Sequence, residues 1–407
     1  MKYNFLLREL INKRIKLDFN NFKHYHIVVF DGEGLNDLKF ILEDYNYLLI
    51  ENRYYRVKKI NLSFQIIFYF IINSFLLVRK KNISIPLIYY YTVLKIIKPK
   101  IVITSIDNSL QFHQLALLLN NEINFMAIQN AHRIDIEIND YKEKNKIEKD
   151  KYNPQIFIPN FFCFGGYEED IAKKYNLRIK NFYKYGSIRT ANYLRYIKDN
   201  NIELEDNLYD VCLISEPYTN FNKRFKKNFI EEGIGLLTKY TIRFTKENNL
   251  KFVFAKRYGK FNGEKSMKKE YDFYKKYLTK EEFNYLLSNS NLKKNMYSSY
   301  GLVFQSKIAI GCHTTLLRDK IGLRQKILSC NFTDFEILNF PLKGICSINS
   351  CNYKDFSLRL KNILNEPLDV FFKGINLKYI MEFDKETSVI KKIRDQINKI
   401  LITNQII

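Results

Sequence analysis

Two polar clusters in the first half of the chain come directly after short apolar runs. The run KIVIT at 100–104 is followed by SIDN, and the run NFMAI at 124–128 is followed by QNAHR. A carboxylate or an imidazole at such a position can act as a general base, and this gives three candidate catalytic residues: Asp107, His132 and Asp135. Amide, guanidinium and carboxylate groups nearby can hold substrate hydroxyls. The candidates for that role are Asn108, Gln129, Asn130 and Arg133, with Asp31 and Glu33, after the run HIVVF, as weaker members.

Asp107 is the preferred base, because it follows a β-branched run and precedes a helical pattern that begins near residue 110. A structural role is also open, since Asp caps helices and the amides at strand ends cap loops. His24, His26 and His113 are interpreted as structural.

A third cluster, GCHTTL at 311–316, lies between a predicted strand and a predicted helix. The free N–H groups and the dipole of a helix N-terminus form a site for a phosphate group. Thr314 and Thr315 would add hydroxyl donors, or do no more than cap the helix. Asp319, one turn further, can accept from ribose hydroxyls or pair with Lys320 or Arg324.

Two cations, Lys256 and Arg257, follow the run KFVFA at 251–255. A pair of cations at a strand end suits a phosphate or a carboxylate. The other reading is two more charges in a basic protein. The candidate phosphate-binding set is therefore Lys256, Arg257, Gly311, His313, Thr314, Thr315 and Asp319.

Short apolar strands alternate with helical stretches along the whole chain, which predicts an α/β fold with mainly parallel sheets covered on both faces. The predicted strands are 26–30, 47–50, 100–104, 124–129, 161–164, 182–185, 209–215, 251–255, 307–311 and 325–329. The predicted helices are 35–43, 110–119, 225–248, 271–288, 295–304, 315–321 and 384–401. The polar stretch KDNNIELEDN at 198–207 separates two halves. We expect an N-terminal domain at 1–200, a second domain at 208–380 and a C-terminal helix at 381–407.

The net charge of +23 indicates an anionic partner: nucleic acid, a membrane face or a phosphorylated substrate. Lys is scattered along the chain and no nucleic-acid-binding module is recognisable, so we expect no nucleic-acid partner. A solvated Lys-rich surface and a basic face on an anionic membrane both remain open.

The stretch INLSFQIIFYFIINSFLLV at 60–78 approaches spanning length, but Asn, Ser and Gln residues interrupt it. It is predicted to be a buried or membrane-grazing helix. The N-terminus lacks a signal-peptide cleavage site, and no pair among the six cysteines has CxxC spacing. The cysteines are expected to be free thiols in a reducing compartment.

The motifs of four common enzyme classes are absent from the sequence: GxxxxGK[ST], GxGxxG after a strand, GxSxG and HExxH. Kinase, dehydrogenase, serine hydrolase and zinc-protease functions therefore lose their main support. There is also no DxD pair at a strand end, and neither a metal nor a cofactor is expected.

Seven segments in order resemble bacterial surface-carbohydrate biosynthesis proteins, which are similar to glycosyltransferases of the GT-B type. They are KIVITSIDNS, FMAIQNAHR, FFCFGGYEEDIAKKYN, FYKYGSIRTANYL, DVCLISE, FVFAKR and YSSYGLVFQSKIAIGCHTTLLRDKIGLRQKILS. Thr314 stands where the family has Ser, Asp319 where it has Glu, and Ala131 where it has Gly.

The resemblance implies two Rossmann-like domains that face each other across a cleft and work without a metal. The donor nucleotide would bind the second domain at the phosphate-binding set, and a glycan or glycolipid acceptor would bind the first. We therefore expect a glycosyltransferase, cytoplasmic and peripheral on the anionic inner membrane face, that uses a UDP-, GDP- or CMP-linked sugar. Three alternatives remain open: a polyol-phosphate transferase of the teichoic-acid type, a sugar-nucleotide epimerase and a non-enzymatic basic binding protein.

Overall fold

The computed structural model describes residues 16–21, 23–53, 59–78, 83–133, 156–217, 229–290, 294–333, 335–382 and 388–403. The elements of the first half are β1 (Lys16–Asp18), β2 (Ile27–Phe30), α1 (Leu35–Leu42), β3 (Tyr47–Ile50), β4 (Lys59–Asn61), α2 (Phe64–Val78), α3 (Ile85–Ile97), β5 (Ile101–Thr104), α4 (Leu110–Leu119), β6 (Asn124–Ile128), β7 (Phe157–Cys163), α5 (Tyr167–Lys174), β8 (Arg178–Lys184) and α6 (Ile188–Asp199).

The elements of the second half are β9 (Tyr209–Ile214), α7 (Phe229–Glu247), β10 (Phe252–Ala255), α8 (Glu264–Tyr277), α9 (Lys280–Ser288), α10 (Ser298–Phe304), β11 (Ser306–Gly311), α11 (Thr315–Gly322), β12 (Lys326–Cys330), β13 (Ser347–Ile348), α12 (Tyr353–Asn365), α13 (Leu368–Phe371), α14 (Leu377–Ile380) and α15 (Val389–Thr403). Single 3-10 turns lie at Gly32–Gly34, Lys260–Asn262 and Glu336–Leu338.

The first half forms a six-stranded parallel sheet in the order β3-β2-β5-β6-β7-β8. Alternate residues of its strands belong to two different core clusters: Val28 and Val102 pack in one, and Val29 and Ile103 in the other. Both faces are therefore buried, which explains why these strands are continuous apolar runs instead of alternating ones.

The second half forms a five-stranded parallel sheet in the order β10-β9-β11-β12-β13. One hydrophobic cluster covers it and extends to Phe164 and Tyr193 of the first half. The predicted α/β class with parallel sheets is confirmed. A separate parallel pair, β1 with β4, was not predicted.

The helix expected over 271–288 is two helices, α8 and α9. Thr279 interrupts it as the N-cap of α9: its hydroxyl accepts from Glu282 N at 3.2 Å, and the Glu282 carboxylate accepts from Thr279 N at 2.8 Å. This reciprocal capping box stops one helix and starts the next.

After the second sheet, the chain returns to the first half. Glu382 N donates to Phe164 O at 2.7 Å, and Gly166 N donates to Lys378 O at 3.1 Å. Gly165 is required here, because a Cβ on it would lie 2.7 Å from Lys378 O. Helix α15 then packs against α1 and α6, with Ile393 and Ile397 buried in a core cluster of the first sheet.

The apolar stretch at 60–78 forms α2. Its inner side buries Ile66, Asn73 and Leu77, and its outer side exposes aromatic and aliphatic side chains. Among the described residues, no helix combines the length and apolar character needed to cross a bilayer.

Candidate active site

The turn after β11 is built around a buried carboxylate, Glu216, which follows the neighbouring strand β9. This carboxylate accepts from Cys312 N at 2.6 Å and from His313 N at 3.3 Å. Gly311 makes room for it, since a Cβ there would lie 2.7 Å from Glu216 Oε1. The ring Nδ1 of His313 lies 3.6 Å from Glu216 Oε2. Glu216 therefore shapes the turn that precedes α11.

Burial gives Glu216 and His313 unusual protonation equilibria. Desolvation raises the pKa of Glu216 to about 7, against the lowering effect of the turn's N–H groups and of Arg257. Desolvation, helped by Arg257, lowers the pKa of His313 to about 4. At neutral pH His313 is uncharged and Glu216 is divided between its two forms, as an acid–base group near neutral pH should be.

Lys256 and Arg257 follow β10, and a buried carboxylate holds their backbone. Arg257 N and Tyr258 N donate to Glu270 of α8 at 2.8 and 3.0 Å. Ser299 Oγ donates to Lys256 O at 2.9 Å. Burial lowers the pKa of Lys256, while Glu270 raises it. The two cations thus stand on a fixed loop, as a site that binds an anion requires.

His132 supplies the wall on the side of the first sheet. Its backbone N donates to Thr315 Oγ1 at 2.8 Å, and Arg318 Nη1 donates to its ring Nδ1 at 3.0 Å. Because a guanidinium can only donate, Nδ1 accepts and the ring proton is on Nε2. Burial, Arg318, His313 and Arg133 together hold the pKa of His132 well below its usual range. His132 is therefore neutral and offers an Nε2–H donor.

Arg318 of α11 locks the two halves together. Its guanidinium pairs with both oxygens of Glu168 at 2.6 and 3.1 Å and donates from Nε to Ile380 O at 3.2 Å. It also lies over the rings of Phe164 and Tyr167, at 4.9 and 5.3 Å from their centroids. A fully buried cation with this many partners fixes the position of α11 against the first sheet.

These groups surround a cleft of about 500 Å³ between the carboxyl ends of the two sheets. The predicted residues that it brings together are His132, Lys256, Arg257, His313, Thr314 and Thr315. Gly311 lies beneath them in the turn. Thr314 is also the N-cap of α11, with its hydroxyl accepting from Leu316 N at 3.4 Å.

Asp319 of α11 does not line the cleft and is buried against the first half. Its Oδ2 accepts from Tyr300 OH at 3.2 Å. Burial raises its pKa, and the nearby hydroxyls of Ser187, Thr190 and Tyr300 lower it, as does Arg189. In this structure the carboxylate accepts a hydrogen bond from Tyr300, and its predicted role towards a ribose stays a prediction.

Four other predicted residues of the first half line a second, smaller cavity of about 60 Å³: Asp107, Asn108, Gln129 and Arg133. Arg133 pairs with both carboxylate oxygens of Asp107, and it also donates to Asn130 Oδ1 at 3.1 Å. The helix that follows is capped by Ser109, whose hydroxyl accepts from Phe112 N. The capping role considered for Asp107 therefore belongs to Ser109.

The side chain of Gln129, at the end of β6, connects the end of β7 to α5. Its Oε1 accepts from Phe164 N at 3.0 Å, and its Nε2 donates to Glu168 Oε1 at 3.0 Å. It thereby orients the carboxylate that holds Arg318.

Asp31 and Glu33 form a third location, after β2, where Arg53 Nε lies 2.9 and 2.8 Å from their carboxylates. Asp31 has φ of 76°, a conformation that non-glycine residues seldom adopt. Asp135 lies outside the described residues.

Two charged residues of the cleft were missed from the sequence: Glu216 and Arg189. Glu216 ends the quoted segment DVCLISE and follows an apolar strand, the same signal that identified Lys256. Arg189, at the start of α6, is paired with Asp37 at 2.9 Å and had no such signal. Among the residues that the structure describes, no group of three or more His, Cys, Asp or Glu could hold a metal ion.

No protein-family model matches this chain, and no curated protein matches its sequence. Solved structures do match. UDP-GlcNAc 2-epimerase from Methanocaldococcus jannaschii, in complex with UDP-GlcNAc and UDP, aligns with a TM-score of 0.50 at 12% identity, over 93% of this chain and 100% of that chain. A variant of the wall teichoic acid polymerase TagF aligns with a TM-score of 0.51 at 14% identity, over 100% and 98%. The chain therefore has an α/β fold of the GT-B type, with two parallel sheets facing across a cleft.

Proposed function

We propose that this protein is a glycosyltransferase that moves a sugar from a nucleotide-activated donor to a glycan or lipid-linked acceptor of the bacterial surface. The observation that supports this most is the cleft of about 500 Å³, which receives strand-end loops from both sheets. Donor and acceptor can then approach from opposite walls, as a transfer between two substrates requires.

The donor's phosphates are proposed to bind between the Lys256–Arg257 loop and the first turn of α11. That location combines two cations, two Thr hydroxyls and a helix N-terminus, each of which favours an anion. A sugar linked to UDP, GDP or CMP fits this chemistry. The M. jannaschii epimerase, a protein of the same fold, binds UDP-GlcNAc.

Glu216 is proposed to be the general acid on the donor side. When the bond between the sugar carbon and the phosphate oxygen breaks, the electron pair stays on the phosphate. A protonated Glu216 can give its proton to that oxygen, and His132 Nε2–H can donate a hydrogen bond to it. The sugar carbon is attacked by an acceptor hydroxyl, whose proton passes to a base of the first half. The sequence predicts Asp107 as this base, with His132 or Asp135 as alternatives. In the structure Asp107 pairs with Arg133 beside the smaller cavity, so its role as the base stays a prediction.

A nucleotide-binding measurement tests the proposal. UDP, GDP and CMP should each be titrated while the melting temperature is recorded, because a ligand at ~100 times its Kd stabilises the folded state by about 2.7 kcal/mol. We expect at least one nucleotide to raise the melting temperature of the wild type but not of a Lys256→Ala/Arg257→Ala variant. The matched control removes two exposed cations of α12, Lys354 and Lys361. Equal stabilisation of all three proteins would place the nucleotide elsewhere.

A polyol-phosphate transferase is the second candidate, supported by the fold shared with TagF. Its product would be a phosphodiester formed with release of CMP. A glycosyltransferase instead breaks the bond between the sugar and the phosphate, so its product carries no phosphate from the donor. Mass spectrometry of the product separates the two.

A further inference from the structure

The outer face of α2 is apolar along its whole length. Eight of its large apolar side chains are exposed, among them Phe64, Phe68, Ile71, Phe75 and Leu76, with exposed fractions of 85% at Phe64 and 74% at Phe75. Phe64, Phe68, Ile71 and Phe75 follow the i, i+4, i+7, i+11 spacing that places side chains on one side of a helix. No charged residue occurs anywhere in α2.

The inner face of the same helix buries one polar residue beside the apolar Ile66 and Leu77. Asn73 is buried, and its Nδ2 donates to Thr92 Oγ1 of α3 at 3.0 Å. Ser74 Oγ donates to Phe70 O at 2.7 Å. A surface helix in water normally exposes polar and charged residues, whereas α2 exposes apolar ones. The exposed face of α2 therefore needs a partner that is itself apolar.

The charge around α2 identifies that partner. Residues 52–106 contain ten Lys and Arg and no Asp or Glu, so 55 of 407 residues carry +10 of the net +23. Arg79, Lys80 and Lys81 follow α2 directly in the sequence. An apolar surface in a cationic part of the sequence complements a bilayer with anionic headgroups. A two-fold interface between two copies would instead bring the two cationic segments together, which is unfavourable.

We propose that α2 is an interfacial helix that lies in the plane of an anionic lipid surface, with Phe64, Phe68, Ile71 and Phe75 among the acyl chains. Its 15 residues reach about 22 Å at ~1.5 Å per residue, well below the ~30 Å of a bilayer core. The helix lies on the membrane without crossing it. The inference deepens the proposed function, because it brings the protein to the surface that holds a lipid-linked acceptor, and it is tested without any transfer reaction.

The chain contains no Trp, so a single substitution creates a unique fluorescent probe. Phe75→Trp places it on the exposed face of α2, and Leu358→Trp places a matched control on α12, where Leu358 is 58% exposed. With vesicles of phosphatidylglycerol and phosphatidylethanolamine, the emission of Phe75→Trp should shift to the blue and be quenched by brominated acyl chains. The emission of Leu358→Trp should do neither. An unchanged Phe75→Trp spectrum would overturn the inference.

Flotation with the same vesicles gives an independent measurement. The variant Phe64→Gln/Phe68→Gln/Phe75→Gln keeps good helix formers on an exposed face, and we expect it to bind vesicles at least ~10-fold more weakly than the wild type. Its control replaces three similarly exposed apolar side chains elsewhere: Leu358→Gln/Leu368→Gln/Ile402→Gln.

Two further readouts complete the test. An unchanged nucleotide-induced melting shift in the α2 variant shows that the variant is folded, and it separates lipid binding from the proposed chemistry. Equal flotation of the α2 variant and the wild type would contradict the inference. So would a wild-type dimer in sedimentation that the α2 substitutions convert to a monomer, because the face would then cover a second copy of the chain.

Discussion

Replacing Glu216 by Gln should remove a pH dependence of both stability and turnover. The Glu216 carboxylate is buried, and its pKa is raised from the ordinary 4.5 to about 7, mainly by desolvation. At ~1.4 kcal/mol for each tenfold change in the acid dissociation constant, ionising it in the folded state costs about 3 kcal/mol more than in the unfolded chain.

The sign of the effect follows from proton binding. Between pH 4.5 and about 7, the folded state binds the Glu216 proton more tightly than the unfolded state, so stability falls as pH rises through this window. From about pH 5 to about pH 8, the wild type should lose about 2.5 kcal/mol relative to Glu216→Gln. Taking the difference between the two proteins cancels the contribution of other titrating groups that the substitution leaves unchanged.

Urea unfolding of both proteins at the two pH values measures this difference. Gln keeps an oxygen for Cys312 N but turns an amide group towards His313 N, so a loss of about 1–3 kcal/mol that does not depend on pH is also expected. The reasoning would be refuted if the difference between the two proteins stayed constant with pH, or grew in favour of the wild type as pH rose.

Turnover should respond to the same group. An acid that must be protonated loses activity as pH rises above its pKa, so the wild-type rate should fall above about pH 7. Glu216→Gln should be at least ~100-fold slower and lack this fall. A variant rate that still falls above neutral pH would assign the acid to another residue.

Three other substitutions test the remaining parts of the account. Thr314→Val/Thr315→Val should abolish nucleotide-induced stabilisation with the fold intact by circular dichroism; nucleotide binding equal to wild type would mean that the site is misplaced. Arg318→Met leaves Glu168 buried without its cation and should lower the free energy of unfolding by ~3–5 kcal/mol in urea titrations; a change below ~1 kcal/mol would contradict its role as a lock. Asp107→Asn should slow turnover at least ~100-fold if Asp107 is the base, and it should also lower the melting temperature because it breaks the ion pair with Arg133; near-normal turnover would move that role to another residue.

The fold could be predicted largely from the sequence, because buried parallel strands appear in it as short apolar runs. The runs at 47–50 and 110–119 match β3 and α4 residue for residue. Five of the six cysteines are buried and all six are free, as their apolar surroundings indicated. The pair β1 with β4 was missed since three-residue strands are too short to show a period.

The site was less predictable, because strand ends give candidates but not their spatial grouping. Lys256, His313 and His132 come together across the two sheets, whereas Asp107 and Arg133 pair with each other beside a different cavity. Which strand ends meet depends on strand order and on how the two sheets are joined. Arg318 joins the two sheets, but nothing in the sequence distinguishes it from an ordinary surface cation.

The most direct test of the central claim is a transfer assay with defined products. The protein should be incubated with UDP-, GDP- and CMP-linked sugars and a lipid-linked glycan acceptor, and the acceptor mass should be followed by mass spectrometry. The account predicts that the acceptor gains one glycosyl residue for each nucleotide released, and that Lys256→Ala/Arg257→Ala abolishes the gain. A phosphodiester product, or an epimerised sugar nucleotide formed without any acceptor, would contradict it.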